Sequence, residues 1–251
     1  MYKLPESMLC KKLKVTVIGA GGNGSFLIEE LISIDTCLRM LDPLCGLDVT
    51  VYDRGIVSYA NLVRQKFFPT QVGTNKAEAC IFNANNLHGK SWKYVADNFV
   101  PDEWCGGDDY KSCDVLISCL DRPSTRYAIS KMRLSRPILW LDLGTNNRAG
   151  QIVLGELGSG RKLPNICDLY DYSGLSDEDA LIKSCSAQES IARQDIGVNA
   201  MCARYGAQIL SNLLRYGSID VHGIHFDTRT LEAIPIHVSS ADWALYGYVV
   251  S

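Results

Sequence analysis

Residues 15–24 read VTVIGAGGNG, a run of β-branched residues that ends abruptly in glycine. The run predicts a strand, and Gly19, Gly21 and Gly24 predict the tight turn and helix entry that let a backbone approach a phosphate closely. Because the glycine-rich turn follows a strand and opens a helix, it predicts a nucleotide site. The turn alone is compatible with NAD, FAD or ATP.

Composition narrows the class of protein. The chain has 251 residues, of which 47% are hydrophobic, and a formal net charge of -3. We expect neither a membrane span nor a nucleic-acid partner, because the sequence has no apolar run of about 18 residues and no Lys/Arg cluster. The N-terminal residues lack a secretory signal, so a cytoplasmic protein with reduced cysteines is expected.

Apolar strands alternate with amphipathic helices as far as residue 150. This alternation predicts an α/β fold with a doubly wound, Rossmann-like, mostly parallel sheet that binds nucleotide at the carboxyl ends of its strands. Residues 35–47 are predicted to be an extended connection, and residues 97–112 a polar surface excursion. The predicted strands are 13–18, 47–53, 91–95, 114–120, 137–144 and 150–156, and the predicted helices are 22–34, 72–87 and 122–135.

The pattern changes after residue 150. Residues 157–186 predict a flexible crossover loop, residues 187–217 one long helix or two, and residues 219–238 a hairpin of antiparallel strands. His222, His225 and His237 alternate with apolar residues on this hairpin, which is typical of surface or partner-binding positions. We predict a single domain over 1–251, with a nucleotide-binding core at 13–150 and a C-terminal part at 151–251.

Charged residues after the second strand favour one nucleotide over the others. Asp53 ends that strand and is placed to accept hydrogen bonds from ribose hydroxyls, although an aspartate there is also typical of a turn. Arg64, Gln65 and Lys76 follow it. A triphosphate needs cations that neutralise its charge as pyrophosphate leaves, whereas a dehydrogenase has little use for them. The loop therefore favours ATP over NAD.

Two further residues have a chemical and a structural interpretation. Asp121 ends a buried strand at the nucleotide face, where a carboxylate can hold Mg²⁺; it could equally cap the next helix. Cys185 precedes a predicted helix, whose dipole would lower the pKa of its thiol and make it a candidate nucleophile. The alternative is a small buried residue without a role in catalysis. Cys167 is a weaker candidate of the same kind.

The sequence resembles the ThiF/MoeB/HesA superfamily, the adenylating enzymes related to the activating enzymes of ubiquitin. The resemblance covers most of the chain and rests on VIGAGGNGS, VYDRGIVSYANLVRQKFF, VGTNKAEA and CLDRPSTR. Three more stretches, WLDLGTNNRAGQIVLGE, KSCSAQESIARQDIGVNAM and RYGSIDVHGIHFDTRT, most resemble the subgroup called the PRTRC-system ThiF family.

The resemblance implies a role for each matching position. Asp53 would bind the ribose, and Asp121 would bind Mg²⁺. Arg126 would bind at the site or support it through a salt bridge. The chain departs from the pattern at Arg122, where an asparagine is usual, and at Gly55, often a second aspartate. The positions around the phosphates would be Gly19, Gly21, Gly22, Gly24, Asn61, Arg64, Gln65 and Lys76.

The implied reaction is adenylation, with ATP and Mg²⁺, of the C-terminal carboxylate of a small ubiquitin-like, β-grasp protein that ends in glycine. A homodimer and a later thioester on Cys185 are further expectations. Residues 1–12 contain lysines but no arginine, so an arginine supplied by a partner subunit is in doubt. Two alternatives stay open at this point, an NAD-binding oxidoreductase of the Rossmann type and a non-catalytic nucleotide-binding scaffold.

Overall fold

The computed structural model describes residues 1–106, 112–175, 177 and 194–249. The strands are β1 (Tyr2–Lys3), β2 (Lys12–Ile18), β3 (Gly46–Tyr52), β4 (Lys93–Val95), β5 (Val115–Ser118), β6 (Ile138–Thr145), β7 (Ala149–Leu157), β8 (Ser218–Ile219), β9 (Val221–Asp227) and β10 (Ala233–His237). The α-helices are α1 (Gly22–Leu41), α2 (Lys76–His88), α3 (Pro101–Gly106), α4 (Pro123–Ser130), α5 (Ile166–Leu169), α6 (Val198–Tyr216) and α7 (Ser240–Ala244). Short 3₁₀ turns lie at Glu6–Met8, Tyr59–Val63 and Pro69–Gln71.

Eight of these strands form one mixed sheet in the order β10-β9-β7-β6-β5-β2-β3-β4. The strands from β4 to β6 are parallel, and β7, β9 and β10 continue the sheet in antiparallel register. This confirms the predicted Rossmann-like α/β sheet with C-terminal antiparallel strands. The chain runs outward in opposite directions from β2 and β5, so these neighbours mark the switch point where such sheets bind ligands.

Helices cover both faces of the sheet. Leu143 packs against α6 at Gly206, where a Cβ would lie 3.2 Å from its side chain. Gly155 packs against Asn165 beside α5, and its cross-strand partner is Trp140. Because Trp140 and Leu143 are three residues apart on one strand, they face opposite sides. The helices α1 and α6 therefore share one face, and α5 lies on the other.

Helix α1 is longer than its sequence predicts, and the expected extended connection over 35–47 is wrong for its first part. The helix continues to Leu41 because the Asp35 carboxyl group is buried and fully engaged. It accepts hydrogen bonds from Lys90 at 2.7 Å and from the Leu47 amide at 2.7 Å, and Arg39 pairs with it one turn later. A buried, paired carboxylate is compatible with the helix interior, whereas an isolated one is not.

Two segments predicted as loops contain packed helices. Helix α3 lies within the predicted polar excursion, where Trp104 and Phe99 are buried with ring centroids 5.4 Å apart. Helix α5 lies within the predicted crossover loop and buries Ile166 and Leu169. Helices α2 and α4 are shorter than predicted, and residues 187–193 of the last predicted helix lie outside the described residues.

The C-terminal hairpin forms as predicted from β9 and β10, but the surface position expected for His222 is wrong. Its side chain is fully buried. The ring nitrogen Nδ1 lies 2.8 Å from the Leu154 carbonyl oxygen, and Nε2 accepts a hydrogen bond from the Trp243 indole at 2.8 Å. This network needs a neutral imidazole, and burial lowers the pKa of His222 to about 4.

Protonation of His222 should make the stability of the protein depend on pH. The unfolded chain binds a proton near pH 6.5 and the folded chain only near pH 4, so the contribution is complete above about pH 6.5 and lost as pH falls toward 4. We expect a loss of roughly 2 kcal/mol of unfolding free energy between about pH 7.5 and pH 5 that His222→Phe removes. Urea unfolding measures it. The exposed His237 gives the control, and His237→Phe should leave the loss intact; equal curves for His222→Phe and the native chain would contradict the assignment.

No helix in the part of the chain that the structure describes is long and apolar enough to cross a membrane. Every cysteine in the same residues is a free thiol.

Candidate active site

The glycine-rich turn lies at the switch point of the sheet. Gly19 directly follows β2 with φ of 92°, and its amide donates to the Tyr52 carbonyl at 2.8 Å. A Cβ on Gly19 would lie 2.6 Å from the Cys119 carbonyl oxygen, and a Cβ on Gly24 would overlap the Gly19 carbonyl oxygen. Both positions therefore require glycine, because the start of α1 is pressed against the ends of β2 and β5.

The two sides of this turn differ. A Cβ on Gly22 would lie 2.6 Å from Oδ1 of Asn199, so α6 closes that side. A Cβ on Gly21 would meet no atom of the described residues within 4 Å. The open side is where a phosphate could approach the backbone at the N-terminus of α1.

Asp53 lies just after β3, beside the turn, and the backbone fixes its carboxylate. Oδ2 accepts from the Ala20 amide at 2.7 Å and Oδ1 from the Gly55 amide at 2.6 Å. Each carboxylate oxygen can accept a second hydrogen bond. The half-buried carboxylate is thus held at the mouth of the site with acceptor capacity left, as a ribose ligand would need.

The loop that follows is pinned over the start of α1. Asn61 accepts from the Ser58 amide at 2.9 Å, and Ser25 on α1 accepts from the Lys66 amide at 3.0 Å. Gln65 is buried, and its Oε1 has no hydrogen-bond partner among the described residues. An unpaired buried acceptor costs about 1–3 kcal/mol, which makes it a feature that a bound donor would relieve.

Lys76 is the first residue of α2, and its ammonium lies among three other charges. Asn75 caps the helix by accepting from the Glu78 amide at 3.1 Å, and its Nδ2 donates to the Asp53 carbonyl at 2.8 Å. Burial lowers the pKa of Lys76, Arg64 lowers it further, and the carboxylates of Asp53 and Asp121 oppose the shift. The structure therefore brings together Asp53, Arg64, Lys76 and Asp121, four of the residues that the sequence singles out.

Two cations this close repel each other, and a ligand with several negative charges would relieve that repulsion. The Lys76 ammonium makes no hydrogen bond or ion pair with any residue that the structure describes. The open turn, the pinned Asp53 and these cations together suit a nucleotide polyphosphate.

Asp121 follows β5 at the same edge of the sheet, and its side chain is exposed. The alternative that it caps α4 is wrong, because the N-cap residue is Arg122. The carboxylate of Asp177 instead accepts hydrogen bonds at the N-terminus of this helix, from the Ser124 amide at 3.1 Å and from the Ser124 hydroxyl at 2.5 Å. An exposed carboxylate beside a polyphosphate site fits the oxygen ligands that Mg²⁺ prefers.

Arg126 supports this edge from behind. Its buried guanidinium donates through Nε to both oxygens of Asp142 at 2.9 Å and through Nη2 to the Leu120 carbonyl at 2.6 Å. Asp142 also accepts from Ser118 at 2.5 Å. The guanidinium thus braces the backbone next to Asp121, which is the supporting role that the resemblance allowed.

Sequence reasoning missed several polar residues under the site. Gln194 accepts from Nη1 of Arg64 at 2.8 Å, and Asn199 at the start of α6 contacts Gly22. Both lie in the quoted stretch KSCSAQESIARQDIGVNAM, but no spacing there indicates which strand end they reach. Cys185, in the same stretch, lies outside the described residues. The thiol of Cys167 is half-buried and its pKa is raised to about 12 by burial, which argues against a nucleophile there.

Solved structures with the same fold include PaaA and E. coli MccB. PaaA superposes with a TM-score of 0.64 at 14% identity, covering 91% of this chain and 65% of PaaA. E. coli MccB, in a structure with ATP, gives a TM-score of 0.60 at 17% identity, covering 92% of this chain and 65% of MccB. At such low sequence identities, these superpositions show a shared fold and nothing more.

Curated relatives match part of the chain. SUMO-activating enzyme subunit 2 of Dictyostelium discoideum is 25% identical over 141 residues, which are 55% of this chain and 20% of that protein. Ubiquitin-like modifier-activating enzyme 5 of Arabidopsis thaliana is 23% identical over 155 residues, 55% of this chain and 33% of that protein. The matched regions thus span a fifth and a third of these relatives. The profile of the ThiF family matches residues 8–232, so the chain belongs to the ThiF family.

Proposed function

We propose that this chain is an ATP-dependent adenylyltransferase that activates the C-terminal carboxylate of a small ubiquitin-like, β-grasp protein ending in glycine. A carboxylate oxygen attacks the α-phosphorus of ATP, the bond to the β-phosphate oxygen breaks, and the products are an acyl-adenylate and pyrophosphate. The observation that carries the proposal is the convergence of Arg64 and Lys76 with the carboxylates of Asp53 and Asp121 beside an open glycine-rich turn.

In this proposal, different residues bind different parts of the nucleotide. Asp53 binds the ribose hydroxyls, while the turn from Gly19 to Gly24 holds phosphate oxygens through its amides. Arg64 and Lys76 neutralise the departing pyrophosphate, with Asn61 and Gln65 completing that side. Asp121 would hold Mg²⁺, which when bound supplies further positive charge to the phosphates.

The chemistry asks for positioning more than for acid–base catalysis. A C-terminal carboxylate is already ionised at neutral pH, so the attacking group needs no general base. The protein has to hold the carboxylate in line with the leaving pyrophosphate and stabilise the charge that develops there. This is why two fixed cations matter more here than a histidine.

The proposed partner follows from the relatives. Two of them are named as activating enzymes for SUMO or for a ubiquitin-like modifier, and E. coli MccB has been solved with MccA. These names support a protein or peptide carboxylate as the acceptor. Assembly as a homodimer remains a prediction, which light scattering of the purified protein would test.

A second step through Cys185 is also proposed. Its thiolate would attack the acyl carbonyl of the adenylate, forming a thioester and releasing AMP. The support is its position in KSCSAQESIARQDIGVNAM, between α5 and α6. Trapping a conjugate that a thiol cleaves, and that Cys185→Ser no longer forms, would test the step.

The site favours adenylation over the two alternatives. An NAD-dependent oxidoreductase would use the glycine turn and Asp53 but leave Arg64, Lys76 and Asp121 without a role. A scaffold that has lost catalysis has no need to keep a half-buried lysine that lacks an ion-pair partner among the described residues, which costs stability in the free protein.

The proposed Mg²⁺ role of Asp121 gives the direct test. Titration calorimetry should show that the native protein binds ATP more tightly with Mg²⁺ than with a chelator, and that Asp121→Asn lowers MgATP affinity by about a hundredfold at most, to the chelator value. Asp121 is exposed and makes no hydrogen bond with described residues, so the variant should fold normally. Asp102→Asn, at an exposed position on α3, is the matched control. Binding of NAD but not ATP would overturn the proposal.

A further inference from the structure

The side-chain amide of Gln194 is fully engaged by four hydrogen bonds. Oε1 accepts from Nη1 of Arg64 at 2.8 Å and from Nδ2 of Asn199 at 2.9 Å. Nε2 donates to the Asn146 carbonyl at 2.9 Å and to Oγ1 of Thr145 at 3.2 Å. A primary amide offers two acceptor and two donor positions, so none of its capacity is left over.

These partners fix the orientation of the amide. A rotation by half a turn would set the NH₂ group against two donors, Arg64 and Asn199, and the oxygen against the carbonyl of Asn146. The network therefore selects one orientation, with the oxygen toward the guanidinium.

Asn199 anchors the same arrangement from α6. It is buried, its Nδ2 lies 3.3 Å from the Arg64 carbonyl oxygen, and its Oδ1 closes one side of the glycine turn at Gly22. Arg64 is thus held at its backbone by Asn199 and at its side chain by Gln194. The anchor for both is the end of β6, at Thr145 and Asn146.

We infer that Gln194 is a positioning residue that aims the Arg64 guanidinium at the polyphosphate of the bound nucleotide. The inference rests on the proposed nucleotide site and adds a residue to it. A neutral amide oxygen orients the guanidinium without cancelling its charge, whereas a carboxylate at this place would pair with it and compete with phosphate. The amide of Gln194 therefore adds no negative charge beside Arg64.

The test uses inorganic tripolyphosphate and MgATP as probes, with adenosine as the probe without phosphates. Gln194→Met keeps the length of the side chain and removes its polar atoms; Gln194→Asn keeps the amide but shortens its reach. Both variants should bind tripolyphosphate and MgATP about tenfold more weakly and bind adenosine with unchanged affinity. Gln208→Met is the matched control, because Gln208 is exposed on α6 and bonds only Asn212 among described residues.

A double-mutant cycle separates positioning from a structural role. If Gln194 acts through Arg64, adding Gln194→Met to the Arg64→Met variant should cause no further loss of affinity for tripolyphosphate. Additive losses, an equal loss for adenosine, or no binding of tripolyphosphate by the native protein would overturn the inference. A failure of the proposed function would give a different result. The double-mutant cycle for tripolyphosphate would still show that Gln194 acts through Arg64, but MgATP would bind no more tightly than tripolyphosphate and no acyl-adenylate would form.

Discussion

Replacing Lys76 with methionine is expected to lower MgATP-dependent adenylation between a hundredfold and a thousandfold while making the free protein more stable. The loss follows because one fixed cation that meets the leaving pyrophosphate is removed, and single electrostatic groups of this kind have effects of about that size. The gain follows because Lys76 is half-buried, and this burial lowers its pKa despite the two carboxylates nearby. Methionine fills similar space without a charge that must leave water.

The pH dependence supplies a second readout for Lys76. With a folded-state pKa below 10.5, the unfolded chain binds more protons, so stability rises with pH between the lowered pKa and 10.5. Urea unfolding from neutral to alkaline pH should show this rise in the native chain and a smaller one in Lys76→Met. Lys93→Met, at an exposed position on β4, should change neither activity nor the pH profile. A Lys76→Met variant that is less stable than the native chain would contradict the assignment of an unpaired, site-directed cation.

Replacing Arg126 with methionine is expected to cost about 3–5 kcal/mol of unfolding free energy, because it leaves Asp142 as a buried charge without its cation. Asp142 is 1% exposed and Arg126 is 6% exposed, so water cannot substitute for the missing partner. Urea denaturation at neutral pH measures the loss. The backbone next to Asp121 also loses its brace at the Leu120 carbonyl, so MgATP affinity should fall in any fraction that stays folded.

The companion variant tests the physical reason. Arg126→Met combined with Asp142→Leu removes both charges, and replacing a buried ion pair by apolar residues of similar volume is often close to neutral. We expect the double variant to recover most of the lost stability. Equal destabilisation of the single and double variants would show that packing, and not an uncompensated charge, accounts for the loss. Arg161→Met removes a more exposed pair with Asp168 and should cost at most about 1 kcal/mol.

The sequence is sufficient for the parts of the site that lie at strand ends. Gly19, Asp53 and Asp121 each follow an apolar run, and parallel strands place their carboxyl ends along one edge, so local pattern alone brings these residues together. Lys76 can also be assigned to the site from the sequence, because it lies at the start of the helix that follows the loop after Asp53. In all of these cases the relevant information is local in the chain.

The rest depends on partners far apart in sequence. The helix predicted to end at residue 34 continues through Asp35 because Lys90 neutralises that carboxylate from a distant part of the chain, and no local pattern shows that contact. His222 is typical of a surface strand until Trp243 covers it. Gln194 meets Arg64 across 130 positions, so its role depends on the tertiary fold. Propensity and periodicity cannot report such contacts.

The placement of Asn199 against Gly22 has a consequence for synthesis. A chain emerging from the ribosome carries the glycine turn, Asp53, Lys76 and Asp121 long before α6 appears. Until then α1 lacks the helix that covers it, and Arg64 lacks both of its amide partners. Contacts of such long sequence separation form late and slowly. In a nascent chain the proposed polyphosphate site therefore lacks its finished geometry, and translation supplies its last residues only when residue 199 has been added.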